Sequence, residues 1–196
     1  MAIAYISTET VNNGATVTIP AGTTIAIAYE HRLSAGAAIG TPALTGTPMS
    51  IGANSSDYVG IYYVNSPVAG TYTLSNVPDR CRFLYLSGTN DIRAGALASN
   101  STSHPMTNTL DSSIDDFILL IGKRVTGTTY LNIDSMSVDG AAVNYLENYF
   151  IGYKQASGDT ANISMVYDVG YTLYYCVVSI KSLVASDPPT FVSLIV

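Results

Sequence analysis

Apolar and polar residues alternate with a period of two along most of this chain, the spacing of strands whose two faces meet different surroundings. In Thr24-Ile-Ala-Ile-Ala-Tyr-Glu30, Ile25, Ile27 and Tyr29 share one face, with Thr24, Ala26 and Ala28 opposite. Val17 and Ile19 pair in the preceding segment, which Pro20-Ala-Gly22 closes as a turn. From Asp57 to Val64, the residues Tyr58, Gly60, Tyr62 and Val64 alternate with Val59, Ile61 and Tyr63. Asn65-Ser-Pro-Val-Ala-Gly70 then turns the chain into Thr71-Tyr-Thr-Leu-Ser75, and Cys81 to Ser87 forms a fifth element.

The pattern weakens between Gly88 and Asp116, where Pro105 opposes a regular central strand, so residues 87–116 are expected to be a partly irregular loop region. Phe117-Ile-Leu-Leu-Ile-Gly122 is apolar throughout, as suits a strand covered on both faces. Further strands are predicted over Thr128–Met136, Asn148–Tyr153, Ala161–Asp168 and Tyr171–Lys181, with Asp139-Gly140 as a hairpin turn. Gly140–Glu147 reads as strand or loop, because no window carries an apolar stripe at helical spacing. Ten to twelve short strands predict an all-β fold: an antiparallel β-sandwich of jelly-roll-like form. No internal repeat stands out. One domain is expected over residues 1–186, with 187–196 as a C-terminal extension or edge strand.

Composition narrows the function classes. The chain has 196 residues, of which 11% are charged, with a net charge of −6. Average domains carry about 25% charged residues. Thr, Ser, Asn, Gly and 15 tyrosines must therefore supply much of the polar surface. Eight cations on an acidic chain make no field for nucleic acid, and no apolar run is long enough for a transmembrane helix. The opening Met1–Glu9 lacks the basic and long apolar regions of a secretory leader.

Candidate chemistry is sparse. His31 and His104 read as solvated turn residues, and no nucleophile elbow, P-loop or zinc motif is present. Asp111, Asp115 and Asp116 cluster as oxygen ligands for a cation would, but outside the calcium-loop spacing; solvated or turn-capping acids are the preferred reading. Asp134 and Asp139 could face each other across a hairpin, as a hydrolase pair does. Cys81 and Cys176 read first as two buried thiols and second as one inter-strand disulfide. No cofactor is expected. Tyrosines suit interfaces, since the ring packs while the hydroxyl stays bonded. Tyr58, Tyr62 and Tyr72 are interface candidates, together with Phe191, Val192, Leu194, Ile195 and Val196 of the apolar tail.

Three segments are similar to a group of bacterial and phage β-sandwich modules. Gly14-Ala-Thr-Val-Thr-Ile-Pro-Ala-Gly-Thr-Thr-Ile-Ala-Ile-Ala-Tyr29 resembles their opening T-V-x-x-P-A-G turn and the strand after it. Val59-Gly-Ile-Tyr-Tyr-Val-Asn-Ser-Pro-Val-Ala-Gly-Thr-Tyr-Thr-Leu74 resembles their W-Y-L-x-N-P-x-A-G-T-x-T-V segment, with Tyr62 where tryptophan often sits. Ile39–Met49 resembles the intervening hairpin, with Thr41-Pro42 departing from its Thr-Tyr. The likeness covers mainly residues 14–75. It implies a jelly-roll-like module of virion or large surface proteins and carries no catalytic residues. The expectation is a non-enzymatic phage virion protein, a capsid decoration or tail/fibre component made in the host cytoplasm. Its partners would be itself, as a homo-oligomer such as a trimer, and other virion proteins. A receptor- or glycan-binding module, touching a host surface glycan, is the alternative; a carboxylate-based hydrolase is the second.

Overall fold

The structure is a computed structural model that describes residues 3–12, 15–30, 38–39, 45–50, 58–75, 80–93, 97–126, 129–131, 133–147 and 151–183. Every described element is a strand, and every pairing is antiparallel. The first half contributes β1 (Ala4–Asn12), β2 (Thr16–Ile19), β3 (Ile25–Glu30), β4 (Ala38–Ile39), β5 (Thr45–Ser50), β6 (Tyr58–Asn65), β7 (Gly70–Ser75) and β8 (Arg80–Ser87). After Gly88 come β9 (Thr89–Ile92), β10 (Leu97–Ser101), β11 (Met106–Asp111), β12 (Phe117–Thr126), β13 (Thr129–Leu131) and β14 (Ser135–Val138). The chain continues through β15 (Ala141–Ala142), β16 (Asn144–Glu147), β17 (Ile151–Gln155), β18 (Thr160–Val166) and β19 (Thr172–Ser182).

These strands form four sheets packed in series. The first half builds a large sheet, β1-β8-β3-β6-β5, and a small one, β2-β7-β4. The second half builds β10-β19-β12-β17-β16, with β9 on β19 and β13 on β12, and the small sheet β11-β18-β14-β15. Alternation assigns each side chain to a layer. Ile25, Ile27, Ile61, Leu84 and Leu86 meet Phe117, Leu119, Ile121, Ile151, Val178 and Ile180 in a core between the two large sheets. Ala26, Tyr62, Val64, Phe83 and Tyr85 point the other way, onto Val17 and Ile19 of the first small sheet. Ile118, Leu120, Leu173 and Val177 likewise face Met106, Leu110, Met136, Val138, Ile163 and Met165. Both large sheets are therefore covered on both faces, which is why the Phe117–Ile121 run has no polar position.

The two halves repeat one strand order. Exchanging β1, β8, β3, β6 and β5 for β10, β19, β12, β17 and β16 converts one large sheet into the other, and β2, β7 and β4 map onto β11, β18 and β14. Registers agree as well: Ile25 lies opposite Asn65 and Leu86, and Phe117 opposite Gln155 and Ile180. The carbonyl before each strand accepts an equivalent bond, Thr24 from the Ser66 amide at 2.8 Å and Asp116 from the Ala156 amide at 2.7 Å. A left-handed residue sits in each equivalent turn, Gly22 at φ 81° and Asp115 at φ 70°. Equivalent faces meet in the shared core, so the halves are related by a half-turn about an axis lying between the large sheets.

This repeat of strand order does not stand out in the sequence. Among equivalent positions, Ile61/Ile151 and Tyr63/Tyr153 keep their residues, whereas Tyr62 is replaced by Gly152 and Thr24 by Asp116. The separation also drifts, from 90 between Ile61 and Ile151 to 94 between Leu86 and Ile180, because the turns differ in length. Nineteen described strands exceed the ten to twelve expected. Part of the excess lies in residues 87–116, where β9, β10 and β11 replace the irregular loop region. β10 and β11 are sheet edges, and β11 buries only Met106 and Leu110, so little apolar alternation was needed. Pro105 does stay outside a strand, in the connection before β11.

Candidate functional site

The aspartates that clustered in sequence separate in space. Asp111 ends β11, exposed beside Thr160 of β18. Asp115 is exposed, and its Oδ1 accepts from Gln155 Nε2 at 3.2 Å. Asp116 is 2% exposed and is fully engaged. Its Oδ2 accepts from Arg93 Nε at 2.8 Å, from Ser179 Oγ at 2.9 Å and from the Ser113 amide at 3.0 Å; its Oδ1 takes the Ser182 amide at 3.3 Å. An Arg93 nitrogen at 2.7 Å completes an ion pair. Such a carboxylate anchors strand ends. Among the described residues, no group of three or more His, Cys, Asp and Glu side chains is placed to hold a metal.

Asp134 and Asp139 flank opposite ends of β14, which corrects the facing-pair expectation. Asp134 lies 3.1 Å from Arg124, whose guanidinium also meets Asp168 at 2.7 Å and sits over the Tyr171 ring. Asp139 accepts from the Asn162 amide at 2.8 Å and from Ser157 Oγ at 3.2 Å. Asp139 and Gly140 both have positive φ, 51° and 73°, as the two-residue hairpin turn joining β14 to β15 requires. His104 packs its ring 4.4 Å from Tyr167, and His31 lies outside the described residues. Cys176 is a free thiol sealed in the shared core, so it forms no bridge to Cys81. Burial pushes it up to about 12 from 9.0, opposed by a hydrogen bond to the Ile61 backbone across the core. Burial also raises the Tyr167 phenol, against the lowering effect of its bonding at Ser101.

Of the interface candidates, Tyr62 is corrected to core: it is buried among Val64, Phe83 and Tyr85, where a ring between two sheets cannot reach a partner. Tyr72 is half-buried at the rim of that core, and its hydroxyl donates to the Val68 carbonyl at 2.7 Å. Tyr58 opens β6, and its side chain is outside the described set, as are Phe191, Val192, Leu194, Ile195 and Val196.

Two surface features remain. A shallow groove of about 570 Å³ lies on the outer face of the β11-β18-β14-β15 sheet. Across it run Thr107–Ser164–Ser137 and Thr109–Asn162, in register on three strands. Its described lining, which also includes Asn108, Gly140 and Ile163, carries no charge.

A smaller cleft of about 270 Å³ opens where β1 of the first half approaches β17 of the second. Ile3, Tyr5, Phe117, Tyr153, Asp115, Asn144 and Gln155 line it. Phe117 and Tyr153 stack at 4.8 Å with an interplanar angle of 11°. Sequence reasoning noticed Tyr153 and Asp115 separately but missed this site, because its residues come from four separated segments. Comparison of the chain with known protein families, curated proteins and solved structures finds no match in any of the three.

Proposed function

We propose that this chain is a non-enzymatic structural subunit of a phage virion, acting through protein contacts as a capsid decoration or tail/fibre component. We also infer that each half is jelly-roll-like. Four strands in the order first-eighth-third-sixth face a sheet ordered second-seventh-fourth, the interleaving that two nested Greek keys produce.

The observation that carries the reading is the uncharged outer ladder of Thr107, Thr109, Ser137, Asn162 and Ser164. Contacts made by hydroxyls and amides suit neutral self-association and depend little on salt. The described acids, by contrast, are engaged in internal bonds or isolated from one another, which supports a non-enzymatic role. Ser164→Lys combined with Thr107→Lys tests this. It should weaken incorporation into particles and lower the mass of the purified chain in solution, with the melting temperature nearly unchanged. A wild-type chain that stays monomeric at high concentration and never enters particles would overturn the proposal. A glycan-binding module is the second reading, favoured by the aromatic cleft between the halves.

A further inference from the structure

We propose that the cleft between β1 and β17 is a binding site for a single neutral pyranose ring. This deepens the second reading and is independent of particle assembly. The half-turn that relates the two halves gives the shared interface two equivalent sides.

On one side, β9 of the second half meets β6 of the first. There Ile92 packs against the shared core, and Asn65 Nδ2 donates to Asp91 Oδ1 at 2.6 Å, tying the halves together. On the other side, the start of β1 takes the place of β9, as its remainder takes that of β10, and β17 takes the place of β6. Tyr5 stands where Ile92 stands, since Tyr5 pairs with Leu86 and Ile92 with Ile180. Gln155 stands where Asn65 stands. Gln155 bonds Asp115 of its own half rather than reaching across, and among the described residues no equivalent tie is made. One side of the interface is closed; the other is open, and the opening is the cleft.

What lines the opening defines its ligand. Tyr5 is 47% exposed and is the one aromatic residue among the described exposed large hydrophobics. Tyr153 stacks on the buried Phe117, which holds its ring in place. Aromatic rings favour the apolar C–H face of a sugar and leave its hydroxyls to polar neighbours. Asp115, with one oxygen bonded to Gln155, accepts from a hydroxyl through the other, and the Gln155 and Asn144 amides both donate and accept. Among the described residues no Lys, Arg or His lines the cleft, and Asp115, the one described carboxylate there, disfavours anions. At about 270 Å³ the space lies just below the range of drug-sized pockets, which suits one ring rather than an extended chain.

The test uses the full chain and a panel of methyl pyranosides of glucose, galactose, mannose and N-acetylglucosamine, with glucuronate as the anionic member. Ligand-detected NMR at millimolar sugar should show saturation transfer from the protein to at least one neutral glycoside. Tyr5→Ala should weaken that binding about tenfold, the loss of one stacked ring, and Gln155→Ala should weaken it less. Because Tyr5 is exposed, Tyr5→Ala should retain the wild-type melting temperature, while Val68→Ala, remote from the cleft, should bind as wild type. The proposal is overturned by a panel with no binder, by a preference for glucuronate, or by binding that survives Tyr5→Ala unchanged. Measuring particle incorporation of the Tyr5→Ala chain separates the two roles: loss of sugar binding with normal incorporation leaves the structural reading intact.

Discussion

The two halves of this chain reach one strand order with different chemistry, most clearly at the position that precedes the third strand of each. In the first half it is Thr24, whose hydroxyl meets the Thr89 hydroxyl at 2.6 Å and the Leu86 carbonyl at 3.3 Å. In the second it is Asp116, bonded to Arg93, Ser113, Ser179 and Ser182. Both brackets tie the start of the third strand to the end of the last one. They also meet, since Thr89 pairs with Ser182 and the Leu183 amide donates to the Gly88 carbonyl at 2.8 Å. Closing a sandwich at this corner needs a polar group with partners; a hydroxyl and an ion pair both serve. The shared lesson is that topology constrains burial and bonding, and leaves the residue type open.

Substitutions separate the two brackets. Asp116→Ala should cost the most, about 3 kcal/mol, because it strands the partly buried Arg93 and frees several buried donors. Urea unfolding measures it, and a cost below that of the Thr24 change would show that the two brackets are not alternatives. Gly152→Ala should follow at about 2 kcal/mol. Gly152 occupies the place of Tyr62, and a Cβ there would collide with Val143 and crowd Met136 Sδ at 3.1 Å. A neutral Gly152→Ala would mean that β16 and its approach can shift, unlike the Tyr62 side of the first half.

Cys176 reports on the core that both halves share. Its folded-state pKa of about 12 lies above the unfolded 9.0, so its contribution is complete below pH 9 and declines as pH rises toward 12. The slope is about 1.4 kcal/mol per unit across that window. The difference between Cys81→Ser chains with and without Cys176→Ala isolates it from the tyrosines; a pH-independent difference would contradict the buried thiol. Thr24→Val should cost about 1 kcal/mol, a neutral bracket being worth less than a charged one. Asn65→Ala, which cuts the exposed tie to Asp91, should cost less than about 0.5 kcal/mol. Its cleft-side equivalent Gln155→Ala should be similarly small in stability, by the same denaturant measurement.

Much of the layering was legible in residue order. The alternation of Ile25 and Ile27 with Ala26 assigned faces that the structure keeps, and the unbroken Phe117–Ile121 run announced a strand covered twice. Asp139-Gly140 announced its hairpin through the φ values that only a few residues tolerate. Local patterns report whether a residue is covered, because alternation is a property of a single strand. They do not report by what. The doubling of the sheets, the burial of Tyr62 and Asp116, and the cleft between β1 and β17 all depend on contacts between distant segments. In sequence, Tyr5 and Tyr153 look like the other thirteen tyrosines. Only the stacking of one half upon the other leaves that pair facing solvent across an open edge, where chain order carries no signal.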